Sequence, residues 1–153
     1  MGIETDSETD NAPDNAADTG AGTGGSPTPQ LRKLGITPGT RWAIDARPDG
    51  WLFASQPDPA DEVSPGEPAD VVLAFVRAAA ELPGLLARLE PSIYPAGSLW
   101  IAWPRKAAGH VSDLTDTVVR EAALSRSLVD TKVAAIDEDW SGLKLVWRLS
   151  ART

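Results

Sequence analysis

The charged residues of this chain that could bind a ligand stand at the ends of its apolar segments. They are Asp45 and Arg47, Arg77, Arg105 and Lys106, and the acidic run Asp137, Glu138 and Asp139, which Trp140 and Ser141 follow. Arginine and lysine in such places can hold a carboxylate or phosphate group, because their N–H donors form charge-assisted hydrogen bonds with oxyanions. Whether these residues form one site depends on the elements that carry them.

Each candidate also has a purely structural interpretation, and the sequence leaves both open. Asp45 could cap a turn instead of contacting a ligand, and Arg105 and Lys106 could be ordinary solvated side chains. Trp140 is unusual in a turn, which favours small polar residues, so its ring should pack on the protein or on a partner. His110 is the only histidine. No nucleophile or base is spaced to act with it, so we expect an ordinary loop residue.

Apolar periodicity predicts the main elements. Residues 69–76, "ADVVLAFV", and residues 98–103, "SLWIAW", are continuous apolar runs, which are typical of strands covered on both faces. Leu82, Leu85, Leu86 and Leu89 have helical spacing, and Pro83 fits the first turn of that helix.

Weaker patterns predict the remaining elements. We expect a strand at residues 41–46, one or two helical turns at 51–56, a short edge strand near 61–64, a helix within 112–128 that Ser112 or Asp113 caps, and an antiparallel strand pair at 131–137 and 142–149.

This order of elements predicts an α/β fold. We expect a Rossmann-like, three-layer, mostly parallel sheet with helices on both faces and a C-terminal antiparallel β-hairpin, because parallel strands are joined by right-handed crossovers. In such a sheet, ligands bind beyond the carboxyl ends of the parallel strands. The candidate residues should therefore line this one edge, which we call the rim, with Trp140 as a side wall that reaches Trp103 or Pro104. Arg105 and Lys106 should flank the amino end of the next helix, where an anion would bind.

The N-terminal segment differs in composition from the rest of the chain. Residues 1–29 contain six acidic residues, no lysine or arginine, and one large aliphatic residue, Ile3. Such a segment cannot bury enough apolar surface to offset its chain entropy, so we expect a disordered acidic tail followed by one domain at residues 30–153. The glycine-rich stretch at 19–25, "TGAGTGG", follows no apolar strand, so it is predicted to be a linker and not a phosphate loop.

Charge and composition exclude several classes of function. The net charge of the chain is -8, and without the six acids of the tail it is -2, so no basic surface of the size that nucleic acid requires is expected. The absence of cysteine and the single histidine argue against disulfides and a structural zinc site. No signal-peptide pattern and no membrane-spanning run is present. We therefore expect a cytoplasmic protein that has no metal and binds neither nucleic acid nor membrane.

Several stretches resemble known families. "LGITPGTRWAIDA", "ADVVLAFV" and "LEPSIYPAGSLWIAW" resemble the first, fourth and fifth strands of class I, S-adenosylmethionine-dependent methyltransferases over roughly residues 31–150. This resemblance implies a shortened methyltransferase-like domain whose second and third strands are reduced or missing. "KLGITPGTR", "LWIAWPRKAAG", "SDLTDTVVREA" and "DEDWSGLK" more closely resemble an uncharacterised bacterial family that is catalogued as a domain of unknown function. That second resemblance implies a shape and no activity.

The methyltransferase resemblance implies cofactor-binding positions at Asp45, Arg47 and Gly50. The family follows its first strand with an acidic residue and a glycine-rich loop, whereas this chain has "DARPDGW". Pro48 fixes φ and lacks an N–H donor, so S-adenosylmethionine is expected to bind weakly or not at all. Glu62 is the nearest counterpart of the family's acid that holds the cofactor ribose.

Two functions follow from this comparison. The first is a non-catalytic, methyltransferase-like domain that binds a protein or a small anionic ligand through Arg47 and the rim residues Arg105, Lys106, Asp137, Trp140 and Ser141. The alternative is a small S-adenosylmethionine-dependent methyltransferase with an altered cofactor loop. The missing glycines and the lack of a catalytic constellation favour the first, because fold analogy alone does not establish an enzyme.

Overall fold

The structure, a computed structural model, describes residues 29–152. The predictions of a disordered tail and of a linker at 19–25 therefore lie outside the described residues. The main elements are α1 Gln30–Leu34, β1 Trp42–Asp45, β2 Val71–Phe75, α2 Leu82–Leu89, β3 Ser98–Pro104, α3 Asp116–Leu124, β4 Leu128–Ala135 and β5 Trp140–Trp147. Short 3-10 helices lie in the connections at Pro59–Asp61, Ala79–Glu81, Glu90–Ile93, Lys106–Ala108 and Leu149–Ala151.

The strands form one five-stranded mixed sheet in the order β1-β2-β3-β5-β4. β1, β2 and β3 are parallel to one another, and β5 is antiparallel to both of its neighbours, so β4 runs in the same direction as the first three. This arrangement confirms the predicted α/β fold with its C-terminal hairpin. It also brings the carboxyl ends of β1, β2, β3 and β4 to one edge of the sheet, as predicted for the rim.

The two faces of the sheet are covered differently. On one, which we call the helix face, α2 and α3 bury aliphatic side chains such as Leu86 and Val119 against Leu99 and Ile101 of β3. On the other, which we call the aromatic face, the side chains packed on the sheet are Leu34 and Ile36 from α1 and the turn after it, and Trp51, Phe53, Ile136 and Trp140 from the segments around the rim. Trp100 and Trp103 are both buried core residues, as predicted, but they lie on opposite faces.

Both longer helices form where the periodicity predicts them. Pro83 lies in the first turn of α2, where its missing N–H removes no helical hydrogen bond, and all four leucines of the stripe are buried. The cap of α3 differs from the prediction. Thr115, not Ser112 or Asp113, is the N-cap, and its side chain accepts a hydrogen bond from the Val118 N–H at 3.1 Å. The carboxylate of Asp113 instead accepts from the Ala79 N–H at 2.9 Å, which links two loops.

The predicted helical turns at residues 51–56 are wrong, because this segment is extended. Trp51 and Phe53 are 8% and 7% exposed, whereas Leu52 between them is 72% exposed. An alternation of this kind belongs to extended backbone, which points successive side chains to opposite sides. The predicted edge strand at 61–64 is reduced to one parallel bridge between Glu62 and Trp42. Within residues 29–152 no helix is both long enough and apolar enough to cross a bilayer.

Candidate functional site

Asp45, at the end of β1, is buried and fully engaged by Arg88 of α2. The two guanidinium N–H groups donate to the two carboxylate oxygens at 2.8 and 3.0 Å, a bidentate pair. The hydrogen bond that Arg88 donates to Asp45 is the main cause of the raised pKa of Arg88. The pair ties α2 to the rim end of β1, so Asp45 acts as a structural anchor. Sequence reasoning missed Arg88, because it shows no local signal that links it to a residue far earlier in the chain.

The loop after β1 is a fixed turn. Ala46 has φ +57° and Gly50 has φ +77°, and the Trp51 N–H donates to the Pro48 carbonyl at 3.0 Å. The Arg47 guanidinium lies 5.9 Å from the centre of the Trp51 ring, and one of its N–H groups donates to the Trp51 carbonyl at 3.2 Å. Arg47 therefore lies against its own loop at the rim, and Gly50 serves the turn.

Three aromatic rings form a continuous row beneath the rim. Phe75, the last residue of β2, contacts Trp51 at 4.9 Å on one side and Trp140 at 4.8 Å on the other, each edge to face. We call these three residues the aromatic row. Trp140 packs on Phe75 and not on Trp103, although Pro104 is its partner across the ladder, as predicted. Edge-to-face contacts of this kind stabilise the arrangement beyond the apolar area they bury.

Asp137 organises the turn between β4 and β5. One carboxylate oxygen accepts from the Trp51 indole N–H at 2.8 Å, and the other accepts from the backbone N–H groups of Asp139 and Trp140 at 2.8 and 2.9 Å. These bonds join the turn to the loop after β1. The Asp137 carboxylate therefore holds the rim together and directs both of its oxygens to the protein.

Arg105 is a clamp on the same turn. One guanidinium N–H donates to the carbonyls of Asp137 and Glu138 at 3.2 and 3.3 Å, and its backbone N–H donates to the Asp139 carbonyl at 2.8 Å. The sequence predicts that this side chain flanks the amino end of α3 and binds an anion there. Its guanidinium N–H instead donates to the carbonyls of the turn, because carbonyl groups in a tight turn need hydrogen-bond partners.

The remaining predicted rim residues lie at the surface. Lys106 is exposed at the start of the 3-10 helix Lys106–Ala108, and Ser141 is half-buried in the ladder opposite Trp103. His110 reaches Asp139, with 3.1 Å between the imidazole Nε2 and the carboxylate. Glu62 lies beside Trp42, at the opposite end of β1 from the rim. Its assignment as the ribose-binding acid is therefore wrong.

Arg77 is a charged residue at the end of an apolar segment that the sequence analysis names but does not include among the proposed ligand-binding residues. Its guanidinium lies 5.5 Å from the centre of the Trp140 ring, and the side chain is exposed. Within residues 29–152 this guanidinium has no ion pair and no hydrogen bond, and only its backbone N–H donates, to Glu81 at 3.3 Å. Its N–H donors are thus oriented by an aromatic ring and remain open to a ligand. The signal in the sequence was its position directly after a buried parallel strand.

These contacts do not fit the way in which class I methyltransferases are expected to hold S-adenosylmethionine. The acid at the end of β1, Asp45, is bound by Arg88. In the turn that follows, the backbone N–H of Trp51 donates to the Pro48 carbonyl and is not available to a cofactor. Among the described residues, no group of three His, Cys, Asp or Glu side chains could hold a metal ion. A cleft of about 180 Å³ between Leu31, Pro38 and Pro57 lies near the amino end of β1, away from the rim.

Comparison with known proteins gives fold neighbours only. No protein-family model and no curated protein matches the chain. A complex of LepI with SAM is 12% identical over 77% of this chain, with a TM-score of 0.49, and this chain spans only 39% of LepI. A protein of the NADB-Rossmann superfamily from Streptococcus agalactiae is 8% identical over 80% of this chain and 69% of its own, with a TM-score of 0.48. TnmH is 14% identical over 78% and 56%, with a TM-score of 0.47.

Identities and TM-scores this low support no conclusion about function, and the α/β fold described above rests on the sheet topology of the chain itself. The resemblance to a bacterial domain of unknown function stays a prediction. What the chain does has to be argued from its own rim.

Proposed function

We propose that this chain is a non-catalytic binding domain whose rim binds a carboxylate or phosphate group of a protein or small-molecule ligand. The observation that carries the proposal is the Arg77 guanidinium, which stacks on Trp140 and, within the described residues, pairs with no acid. Arginine presents a planar fork of donors that matches an oxyanion, and it stacks on aromatic faces without losing those donors.

The support beneath Arg77 is rigid, which favours binding. Trp140 is buried against Phe75, and its backbone N–H is bonded to the Asp137 carboxylate. A side chain that rests on a fixed ring loses less conformational freedom when it takes up a ligand. Arg77 is therefore preorganised, unlike an ordinary solvated arginine.

Arg47 supplies a second cation at the other end of the aromatic row. It stacks on Trp51, which contacts Phe75 just as Trp140 does, and one of its N–H groups is already used on the Trp51 carbonyl. The two guanidinium groups thus rest on the two tryptophans that flank Phe75, and the exposed Lys106 follows the clamp Arg105 on the same rim. The rim therefore presents further cations to a ligand that carries more than one anionic group.

The polar groups that methyl transfer would recruit are committed to the fold. Asp45 is neutralised by Arg88, and Asp137 accepts three hydrogen bonds from the protein. His110 is paired with the exposed Asp139 on the protein surface. This distribution supports a binding role over a catalytic one.

A titration of the full chain with inorganic phosphate, followed by NMR, tests the proposal. We expect the side-chain signals of Arg77 Nε and Trp140 Nε1 to shift with phosphate, and the Arg77→Ala variant to lose the response at Trp140. Arg41→Ala is the matched control, because Arg41 is an exposed arginine just before β1, at the opposite edge of the sheet. Equal responses in wild type and Arg77→Ala would contradict the proposal.

A further inference from the structure

Three of the four lysines of the chain lie on the aromatic face of the sheet. Lys132 of β4 and Lys144 of β5 are direct partners in the antiparallel ladder, and Lys144 is also paired with Trp100 of β3. Lys33 of α1 donates from Nζ to the Ala135 carbonyl at 2.9 Å, at the end of β4. Since α1 and Trp100 belong to the aromatic face, all three lysines lie on that side. We call Lys33, Lys132 and Lys144 the basic face.

No acidic residue of the surrounding elements shares this face. α1, β3 and β5 contain no Asp or Glu within their bounds. The single acid of β4, Asp130, accepts from the Arg120 side chain of α3 at 3.0 Å, which places it on the helix face. Within residues 29–152, neither Lys132 nor Lys144 forms an ion pair.

The electrostatics of the lysine pair are unfavourable as they stand. Like charges directly opposite each other in a sheet are destabilising. Lys144 is half-buried, and burial together with the charge of Lys132 lowers the pKa of its ammonium group. Each of these costs falls when an anionic group lies against the pair, because an opposite charge favours the protonated amines.

We propose that the basic face binds the acidic segment at residues 4–18 of the same chain. That segment carries six carboxylates and no cation, so its charge complements the Lys132–Lys144 pair, neither member of which forms an ion pair within residues 29–152. The described chain begins at Pro29, directly before α1, and Gln30 donates to the Ile136 carbonyl at 2.9 Å, next to the end of β4. The residues between 18 and 29 can span about 35 Å when extended, which exceeds the radius of gyration of about 14 Å that is typical of a domain of this size.

The basic face fits this segment better than the rim does. The rim contains Glu138, Asp139 and Asp113 as exposed acids beside its cations, whereas β3 and β5 contain no acid and Asp130, the single acid of β4, is bound by Arg120 on the helix face. Tethering also helps, because a linked segment acts at an effective concentration of about millimolar. The contact is electrostatic and should weaken with salt, since the screening length falls from about 8 Å at physiological ionic strength to about 3 Å at 1 M.

The first test measures lysine titration by NMR in the full chain. In the variant Glu4→Gln, Asp6→Asn, Glu8→Gln, Asp10→Asn, Asp14→Asn and Asp18→Asn, the pKa of Lys144 should fall below its wild-type value, because the carboxylates that favour its ammonium group are gone. The side-chain NMR signals of Lys106, the lysine outside the basic face, should keep their wild-type positions in this variant. The difference should vanish in about 1 M salt. A pKa of Lys144 that is the same in wild type and in this variant at low salt would overturn the proposal.

The second test observes the segment itself. In the full-length Lys132→Gln, Lys144→Gln variant, the backbone amide signals of residues 4–18 should move from their wild-type positions, whereas Lys106→Gln and Arg77→Ala should leave them unchanged. A response to Arg77→Ala alone would assign the segment to the rim. A response that depends on protein concentration would assign it to another molecule. Either outcome overturns the proposal, and the phosphate titration described above measures anion binding by Arg77 separately.

Discussion

The two faces of the sheet close by different means. The helix face is covered by α2 and α3, whose leucines and valines repeat with helical spacing. The aromatic face has one helix of five residues, and much of its cover comes from rings on extended segments and turns. Aliphatic side chains on the first face make only packing contacts, whereas the rings on the second also orient charged groups at the rim. The candidate site therefore exists because aromatic rings, and not helices, cover most of the second face.

The largest expected effect comes from removing one large side chain on each face. Trp51→Ala and Leu86→Ala should lower the free energy of unfolding by about 3–5 and 2–5 kcal/mol respectively, because each leaves a cavity in the core. Trp51→Ala should also abolish phosphate binding at the rim, since Trp51 supports Arg47 and bonds to Asp137. Urea denaturation and the phosphate titration measure the two quantities. If the folded fraction of Leu86→Ala also failed to bind phosphate, phosphate binding would not depend on the aromatic face in particular, and the distinction between the two faces would be wrong.

The Asp45–Arg88 pair, which joins α2 to the rim, should show a smaller effect. A double-mutant cycle with Asp45→Ala and Arg88→Ala should give a coupling energy of about 1 kcal/mol, because the contact is bidentate but partly screened by solvent. The Arg88 side chain is 53% exposed, whereas that of Asp45 is 11% exposed. Urea denaturation of the four proteins measures the coupling. A value near zero would mean that Asp45 is available to a ligand.

Lys144 offers a stabilising substitution on the aromatic face. Lys144→Met should raise the free energy of unfolding by about 0.5 kcal/mol at neutral pH in about 1 M salt, because it removes a partly desolvated charge while surface pairing is screened. The control is Lys106→Met, which removes an exposed charge and should have little effect.

The pH dependence of this stabilisation has a definite sign. The pKa of Lys144 in the folded chain lies below its ordinary value of 10.5. Between the two values the unfolded chain binds more protons, so the stability of the wild type rises with pH. The advantage of Lys144→Met should therefore shrink as the pH rises through this interval. An advantage that grows with pH would show that Lys144 is not desolvated.

The smallest effect on stability is expected for Arg77→Ala. An exposed cation on an aromatic ring contributes about 0.5 kcal/mol, so the free energy of unfolding should hardly change. Phosphate binding should nevertheless be lost. Thermal unfolding with and without phosphate measures both quantities, and a large loss of stability would mean that Arg77 is part of the fold and not a ligand contact.

The sequence predicts the framework of this molecule better than its site. Continuous apolar runs and the leucine spacing of α2 gave the strands, the helix and the rim edge, because these patterns are local. The pairing of Asp45 with Arg88, the stacking of Arg77 on Trp140 and the clamp by Arg105 join residues far apart in the chain. Their partners follow from register and side-chain direction, which no local pattern encodes. The sequence wrongly predicts a helix at Trp51. Two buried rings with one residue between them form too short a pattern to distinguish the two-residue period of a strand from the 3.6-residue period of a helix.

Calorimetric titration of the full chain with S-adenosylmethionine tests most directly whether the rim is a binding surface rather than a cofactor site. With Asp45 held by Arg88 and the following turn closed on Pro48, we predict no saturable heat at micromolar concentrations. Saturable binding with micromolar affinity would contradict the account and would favour the small methyltransferase.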